Sequence, residues 1–174
     1  MDPLEKAKNI ELVIFDIDGV MTDGSLFFDN NGDEYKAFNS LDGHGLRMLQ
    51  ECGVRVAVIT GRKSELVKHR MNDLGVTLLY QGYRDKIPAF ESLLKEVNLK
   101  KDQITYVGDD VVDLPVMSQL EFTIAVQNAH PFVKKHVQWI TERSGGHGAV
   151  REVCEFILDA KGLLDDKLKS YLYS

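Results

Sequence analysis

The sequence predicts an α/β fold, a Rossmann-like parallel sheet with helices on both faces. Apolar, β-branched runs recur at about 11–15, 54–59, 77–80, 104–107 and 122–126, and a stretch with helical spacing separates each run from the next. Parallel neighbours need long crossover connections that cover the sheet on both sides, so the strands read as nearly continuous apolar runs. The chain's 174 residues, 44% hydrophobic and 28% charged, fit a single domain with one sizeable core.

Taken in order, the N-terminal segment MDPLEKAKNIELVIF has no basic stretch followed by an apolar run and a small-residue cleavage site, and it reads as a mature cytoplasmic start. The first strand ends in FDIDGVMTDG. Two partly alternating aromatic runs then flank DNNGD, which predicts a β-hairpin over about 24–38 projecting from the sheet. Such a hairpin serves as a lid, an oligomer contact or an ordinary surface turn. Leu46, Leu49 and Cys52 recur on one helical face, then Leu66, His69, Arg70 and Leu74, then Ile87, Phe90, Leu93, Leu94 and Val97. Gly75 and Asn98 stand where helix C-termini call for a left-handed residue. The glycines of SGGHGAVRE read as a flexible lead into a last helix, and the charged tail from about Lys161 to Ser174 reads as mobile or partner-dependent.

Several function classes drop out. A net charge of −6 disfavours a nucleic-acid binder, because phosphate-backbone affinity comes from clustered Lys and Arg. The longest apolar runs are strand-sized, far short of the roughly 20 residues of a membrane span. Cys52 and Cys154 show no metal or redox spacing and read as helix packing residues. An anionic substrate stays compatible with an acidic chain only where local cations or a metal offset the charge.

The chemistry sits at strand ends. Asp16 and Asp18 follow the first strand, at the carboxyl edge where open α/β sheets bind ligands. Two such carboxylates repel each other unless a cation or proton lies between them. Thr60-Gly61 ends the second strand, where a hydroxyl and a bare amide can hold a phosphoryl oxygen, although the same pair is also a common turn. Lys86 follows the third strand at the start of a helix, and its ammonium can offset charge on a transferring phosphoryl group; a lone lysine would read as solvated surface. Asp109, Asp110 and Asp113 follow the fourth strand, three carboxylates that call for a cation, and oxygen donors of this kind suit Mg2+.

The order DxD, T-G, K and GDDxxD, each after a strand, resembles the haloacid dehalogenase superfamily of phosphotransferases, and the resemblance spans nearly the whole chain. It implies Asp16 as nucleophile and Mg2+ ligand, and Asp18 as general acid/base lending its backbone carbonyl to the metal. Thr60 and Lys86 match the phosphate-binding pair and Asp109 the acidic Mg2+ ligand. Asp110 and Asp113 are left as outer-sphere or water-mediated partners. Only the hairpin follows Asp18 and only 25 residues separate Thr60 from Lys86, so the chain resembles the capless class: residues 1–174 as one phosphatase domain without a cap domain.

The stretches DGVMTDG, KAFNSLDGHGLRML, VITGRKSELVKHR, LYQGYRDK, YVGDDVVDLPVM and SGGHGAVREVCEFIL together resemble the 3-deoxy-D-manno-octulosonate 8-phosphate phosphatase family. The resemblance implies a cytoplasmic homotetramer with active sites near subunit interfaces, acting on a sugar-acid phosphate on the route to lipopolysaccharide. Such a substrate carries a carboxylate, for which Arg62 and Arg70 are candidates on a common face of the helix after Thr60; surface arginines are the alternative. Asn39, Ser40, Leu41, Asp42 and Gly43 match the substrate-contacting loop, and Gly61 the phosphate-binding turn. Asp42 could instead cap the helix starting near Gly43. Arg151 is a further candidate, while His147, His44, His69, His130 and His136 receive no catalytic role. A nine-carbon sugar-acid phosphatase of the same group is the nearest rival. A phospho-receiver is disfavoured by motif order, and a non-catalytic relative by the intact Asp16, Asp18, Lys86 and Asp109.

Overall fold

The computed structural model describes residues 2–173. Five parallel strands lie where the apolar runs predict them: β1 (Leu12–Phe15), β4 (Arg55–Thr60), β5 (Leu78–Gln81), β6 (Ile104–Gly108) and β7 (Phe122–Ala125). A short sixth, β8 (Trp139–Ile140), joins the edge, and the order is β5-β4-β1-β6-β7-β8 with every pairing parallel. The sequence reading missed β8 because two residues carry no periodicity. Its Trp139 ring stacks on Phe156 at 4.0 Å.

Strand order dictates the layers. The path β1 to β4 to β5 runs one way through α2 (Ser40–Glu51) and α3 (Glu65–Asp73). From β5 it returns past β1 through α4 (Ile87–Val97) to β6, then through α5 (Leu114–Met117) to β7 and α6 (Pro131–Lys134) to β8. Right-handed crossovers running in opposite directions put their helices on opposite faces, and the reversal opens a crevice between the carboxyl ends of β1 and β6. The face carrying α2 is completed by α1 (Pro3–Ala7) and α7 (Ala149–Ala160), which pack together. All of β1, β6 and β7 is buried, and Phe15, Tyr106, Phe122 and Phe90 are the bulkiest wholly buried side chains. No helix among the described residues is long and apolar enough to cross a membrane.

The hairpin is present, as β2 (Phe27–Phe28) antiparallel to β3 (Glu34–Tyr35). Gly75 at φ +72° and Asn98 at φ +50° end α3 and α4 in the left-handed region as the sequence requires. Four local expectations are corrected. Helix α3 starts only at Glu65, so Val67, Met71 and Leu74 form its buried stripe while Leu66 and His69 face outward. Arg62 precedes that helix and therefore shares no helical face with Arg70. The tail is not loose: α8 (Leu164–Ser170) is tied down by Lys167 to Glu51 at 2.5 Å and by Tyr171 against His44.

The fourth correction concerns Gly145 and Gly146, which form a tight contact in place of a flexible lead. The Gly146 amide donates to the Val20 carbonyl at 3.0 Å, and a Cβ on Gly145 would stand 1.8 Å from the Gly19 carbonyl oxygen. Gly145→Ala is therefore expected to cost about 1–3 kcal/mol through backbone displacement. Urea denaturation monitored by circular dichroism measures it, with Gly61→Ala, whose backbone is not in the left-handed region and whose added methyl meets nothing closer than 3.7 Å, as the comparison.

Candidate active site

Strand geometry brings the chemistry together. Strands β1 and β6 are paired neighbours, and the Asp16 amide extends that ladder by donating to the Val107 carbonyl at 3.2 Å. Asp16 and Asp109 therefore emerge side by side. After Asp16 the chain coils through a tight turn at Ile17–Met21, with Gly19 at φ +92°. Glycine is required there twice over, by the positive φ and because a Cβ would lie 2.0 Å from Asp109 Oδ2. Thr60 ends β4 on the other flank of β1, and Lys86 stands at the N-cap of α4.

The side chains converge on a cavity of about 390 Å³ lined by Asp16, Asp18, Thr60, Gly61, Arg62 and Lys86 and closed by Arg84, Asp109, Asp110 and Val112. Asp16 Oδ1 accepts the Ile17 amide at 2.7 Å, and its Oδ2 lies 3.0 Å from Lys86 Nζ. Lys86 is almost fully buried, paired also with Asp113 at 2.6 Å, and donates to the Tyr106 hydroxyl at 3.0 Å. Burial lowers the lysine's proton affinity, but the Asp16 and Asp113 carboxylates more than reverse this and hold it charged.

Asp113 is saturated. Oδ1 accepts Lys86 Nζ and, at 2.7 Å, the Tyr106 hydroxyl, while Oδ2 accepts the amides of Asp109 and Asp110 at 3.1 and 3.4 Å. It is an anchor for the lysine and the loop rather than an open ligand. Asp110 caps its own turn by accepting the Val111 amide at 2.7 Å. Carboxylate oxygens of Asp16, Asp109 and Asp113 lie within 4.8 Å of one another. With Asp113 occupied, Asp16 and Asp109 are the carboxylates free to share a cation.

Their proton affinities say the same. Burial, then the Asp113 charge, pushes Asp16 up to about 7 despite Lys86; burial, then Asp113, Asp16 and Asp110, pushes Asp109 up to about 8. The site holds more negative charge than its own cations offset. Hard oxygen donors in that state fit Mg2+.

Asp18 sits at the cavity wall with its carboxylate held by Lys36 from the end of the hairpin. Arg62 bonds Glu34 at 2.7 Å and approaches Asp18 at 3.8 Å, with its guanidinium 5.8 Å from the Phe28 ring centre. Lys36, Glu34, Arg84 and Tyr106 escaped the sequence reading. Lys36 and Glu34 sit in a hairpin whose contact with the site no spacing reveals, and Tyr106 reads as one more apolar strand position. Arg84 lies two residues before Lys86 in a loop fixed by hydrogen bonds from Tyr83 N to Thr60 O and Gly82 N to Arg62 O, each 3.2 Å. Among the described residues it pairs with no carboxylate.

The structure does not bring Arg70 or residues 39–43 to this cavity. Arg70 lies over Gly43, with Phe38 at 5.9 Å and an ion pair to Asp73 at 3.0 Å, and together with Asn39 and Asp42 it lines a separate small pocket. Ser40 and Leu41 open α2, which Asn39 caps by accepting the Leu41 and Asp42 amides at 2.8 and 3.2 Å. Asp42 does cap a helix, but a different one from that expected: it accepts the Arg151 amide at 2.9 Å in the first turn of α7. Arg151 itself pairs with Glu155 at 2.6 Å.

Comparison with known proteins agrees with this geometry. Residues 79–153 match the sequence profile of the haloacid dehalogenase-like hydrolases. The 3-deoxy-D-manno-octulosonate 8-phosphate phosphatase of Escherichia coli K12 is 46% identical over 165 residues, covering 95% of this chain and 88% of that protein. The chain belongs to this phosphatase family. Among solved structures, the family member from Yersinia pestis superposes with a TM-score of 0.93 at 46% identity, over 94% of this chain and 89% of that one. The Moraxella catarrhalis member, in complex with magnesium, phosphate and KDO, gives 0.94 at 38% identity, over 97% of both chains.

The raised carboxyl groups make a pH-dependent signature. A folded-state proton affinity raised above 3.8 adds stability below that value, and the contribution is lost as pH rises through about 7 for Asp16 and about 8 for Asp109. In chelator, Asp109→Asn should therefore gain stability relative to wild type as pH rises from 5 to 8. Thermal unfolding should also show a Mg2+-induced rise that is larger at pH 8 than at pH 6 and mostly absent in Asp109→Asn.

Proposed function

We propose that this chain hydrolyses 3-deoxy-D-manno-octulosonate 8-phosphate to the free sugar acid and phosphate, through an aspartyl-phosphate on Asp16, in lipopolysaccharide biosynthesis. The observation that carries this reading is the buried Asp16 carboxylate between Lys86 and Asp109, in a chain 46% identical to a phosphatase named for that substrate.

Asp16 attacks phosphorus with the oxygen not committed to the Ile17 amide. A new O–P bond forms as the ester P–O bond breaks, and Asp18 gives its proton to the departing sugar oxygen. In the second half Asp18, now a carboxylate, takes a proton from water as the water oxygen attacks phosphorus. The bond to Asp16 breaks, which releases phosphate and restores the carboxylate. Lys86 and the Thr60 hydroxyl hold equatorial phosphoryl oxygens through both steps. Mg2+, held by Asp16, Asp109 and the Asp18 backbone carbonyl, supplies positive charge to the phosphoryl oxygens when bound.

The substrate's carboxylate needs a cation beyond Lys86. Arg62 is already shared by Glu34 and Asp18, so Arg84, which has no such partner among the described residues, is the freer counter-charge. The 174 residues act as one domain without a cap domain. An open site then draws its remaining contacts from neighbouring copies in a cytoplasmic homotetramer, and the exposed Leu26, Phe27, Phe28 and Tyr35 of the hairpin are the apolar surface that supports assembly. Arg70 and the 39–43 loop contribute, in this reading, through that assembly.

Two measurements follow. Phosphate release with Mg2+ from eight- and nine-carbon sugar-acid phosphates should favour the eight-carbon substrate, and Asp16→Asn should lose more than about a thousandfold in kcat. Activity surviving in Asp16→Asn, or preference for nine carbons, removes the mechanism or the specificity respectively. Arg84→Ala should raise KM for the sugar-acid phosphate about tenfold, from the loss of a charge-assisted hydrogen bond, and do less to KM for p-nitrophenyl phosphate; equal effects would assign Arg84 to the phosphate instead.

A further inference from the structure

Lys36 follows β3 on the hairpin, a segment whose aromatic residues face solvent, yet its own side chain is 1% exposed. Its ammonium meets two carboxylates, Asp18 through Oδ1 and Glu34 through Oε1 at 3.1 Å. Burying an ammonium is costly unless charged partners meet it, and a two-residue strand pair offers little else to repay the cost. The arrangement is also asymmetric at Asp18. Oδ1 is taken by Lys36, whereas Oδ2 has only Arg62 Nε at 3.8 Å, beyond hydrogen-bond distance, because Arg62 is engaged by Glu34 at 2.7 Å.

We infer that Lys36 is the positioning residue for Asp18, holding Oδ1 so that Oδ2 is the oxygen that exchanges protons with the leaving group and with water. The inference rests on Asp18 being the acid/base of the proposed reaction. Lys36 does not touch the reacting atoms. It fixes the rotamer of the group that does, and it supplies a counter-charge when Asp18 has given its proton away. Because Lys36 and Glu34 both belong to the hairpin, the acid/base is aligned by the projecting element, while the nucleophile is aligned by the sheet.

A role confined to pinning the hairpin down would lower activity on every substrate alike; alignment of a proton donor would not. The test is kcat/KM of the Mg2+-loaded enzyme, which reports the steps through departure of the leaving group, for p-nitrophenyl phosphate and for an alkyl phosphate. The first leaving oxygen departs readily as an anion and the second needs a proton. Lys36→Met should lose about a hundredfold on the alkyl phosphate and less than about tenfold on p-nitrophenyl phosphate, with Lys36→Arg recovering most of the loss. Lys36→Gln is the second variant should Lys36→Met not fold, and an unchanged Mg2+-induced thermal shift certifies the fold of either. Equal losses on both substrates, or none, overturn the inference. Asp18→Asn run in parallel separates the two readings: if it shows the leaving-group dependence and Lys36→Met does not, the alignment role alone fails, and if Asp18→Asn lacks it, the acid/base assignment fails and takes the alignment role with it.

Discussion

Lys86 between Asp16 and Asp113 is the contact on which the site depends. A buried ammonium needs counter-charge, and Asp113 provides it while its other oxygen ties down the amides that carry Asp109 into place. Tyr106 completes the anchor from within β6, donating to the same Asp113 oxygen that receives the lysine. The consequence is a division of labour among like residues. One aspartate is saturated and structural, and the two on either side of it are left short of positive charge, which is what the proposed metal-assisted nucleophile requires. Had Asp113 been half satisfied it would have competed for the cation.

What the sequence could reveal was whatever repeats or follows a strand. Five strands are legible as apolar runs, and because a parallel α/β sheet gathers its ligand-binding groups at carboxyl ends, the sequence alone places Asp16, Thr60, Lys86 and Asp109 at one edge. The failures have a common origin in contacts between segments. The inward stripe of α3 is ambiguous in the sequence because Leu66 and Leu74 fit a helical period as well as Val67 and Leu74 do, and only the packing of the helix against the core, which buries Val67 and Met71, decides between them. Asp42 reads as a substrate-loop residue or a cap of its own helix, yet the amide it accepts belongs to α7, more than a hundred residues on. Lys36 opens the KAFNSLDGHGLRML stretch yet suggests no role there, since neither its spacing nor its neighbours announce that a surface hairpin turns one side chain inward.

The hairpin is therefore two surfaces in one element. Phe27 and Tyr35 are cross-strand partners on the outer face, while Phe28 lies opposite Glu34 on the face turned to the cavity wall, where Lys36 also points. Strand alternation puts neighbouring residues on opposite faces, and the short β2–β3 pair uses that geometry to join an apolar exterior to a charged interior. Arg62, with Phe28 at 5.8 Å and its nitrogens on Glu34 and Asp18, fastens the inner face to the cavity wall.

The pairing of β1 with β6 also governs when the site can exist. Asp16 is translated early, Lys86 comes only at the midpoint of the chain, and Tyr106, Asp109 and Asp113 come from its far half, so β6 must pair beside β1 before those three meet Asp16. Long-range parallel pairing of this kind is slow to form and leaves strand edges open in the meantime. On the ribosome the emerging N-terminal half thus presents β1 with one edge unpaired and Asp16 without Asp109 and Asp113, so a half-made chain has an incomplete site and an open strand edge at the same time.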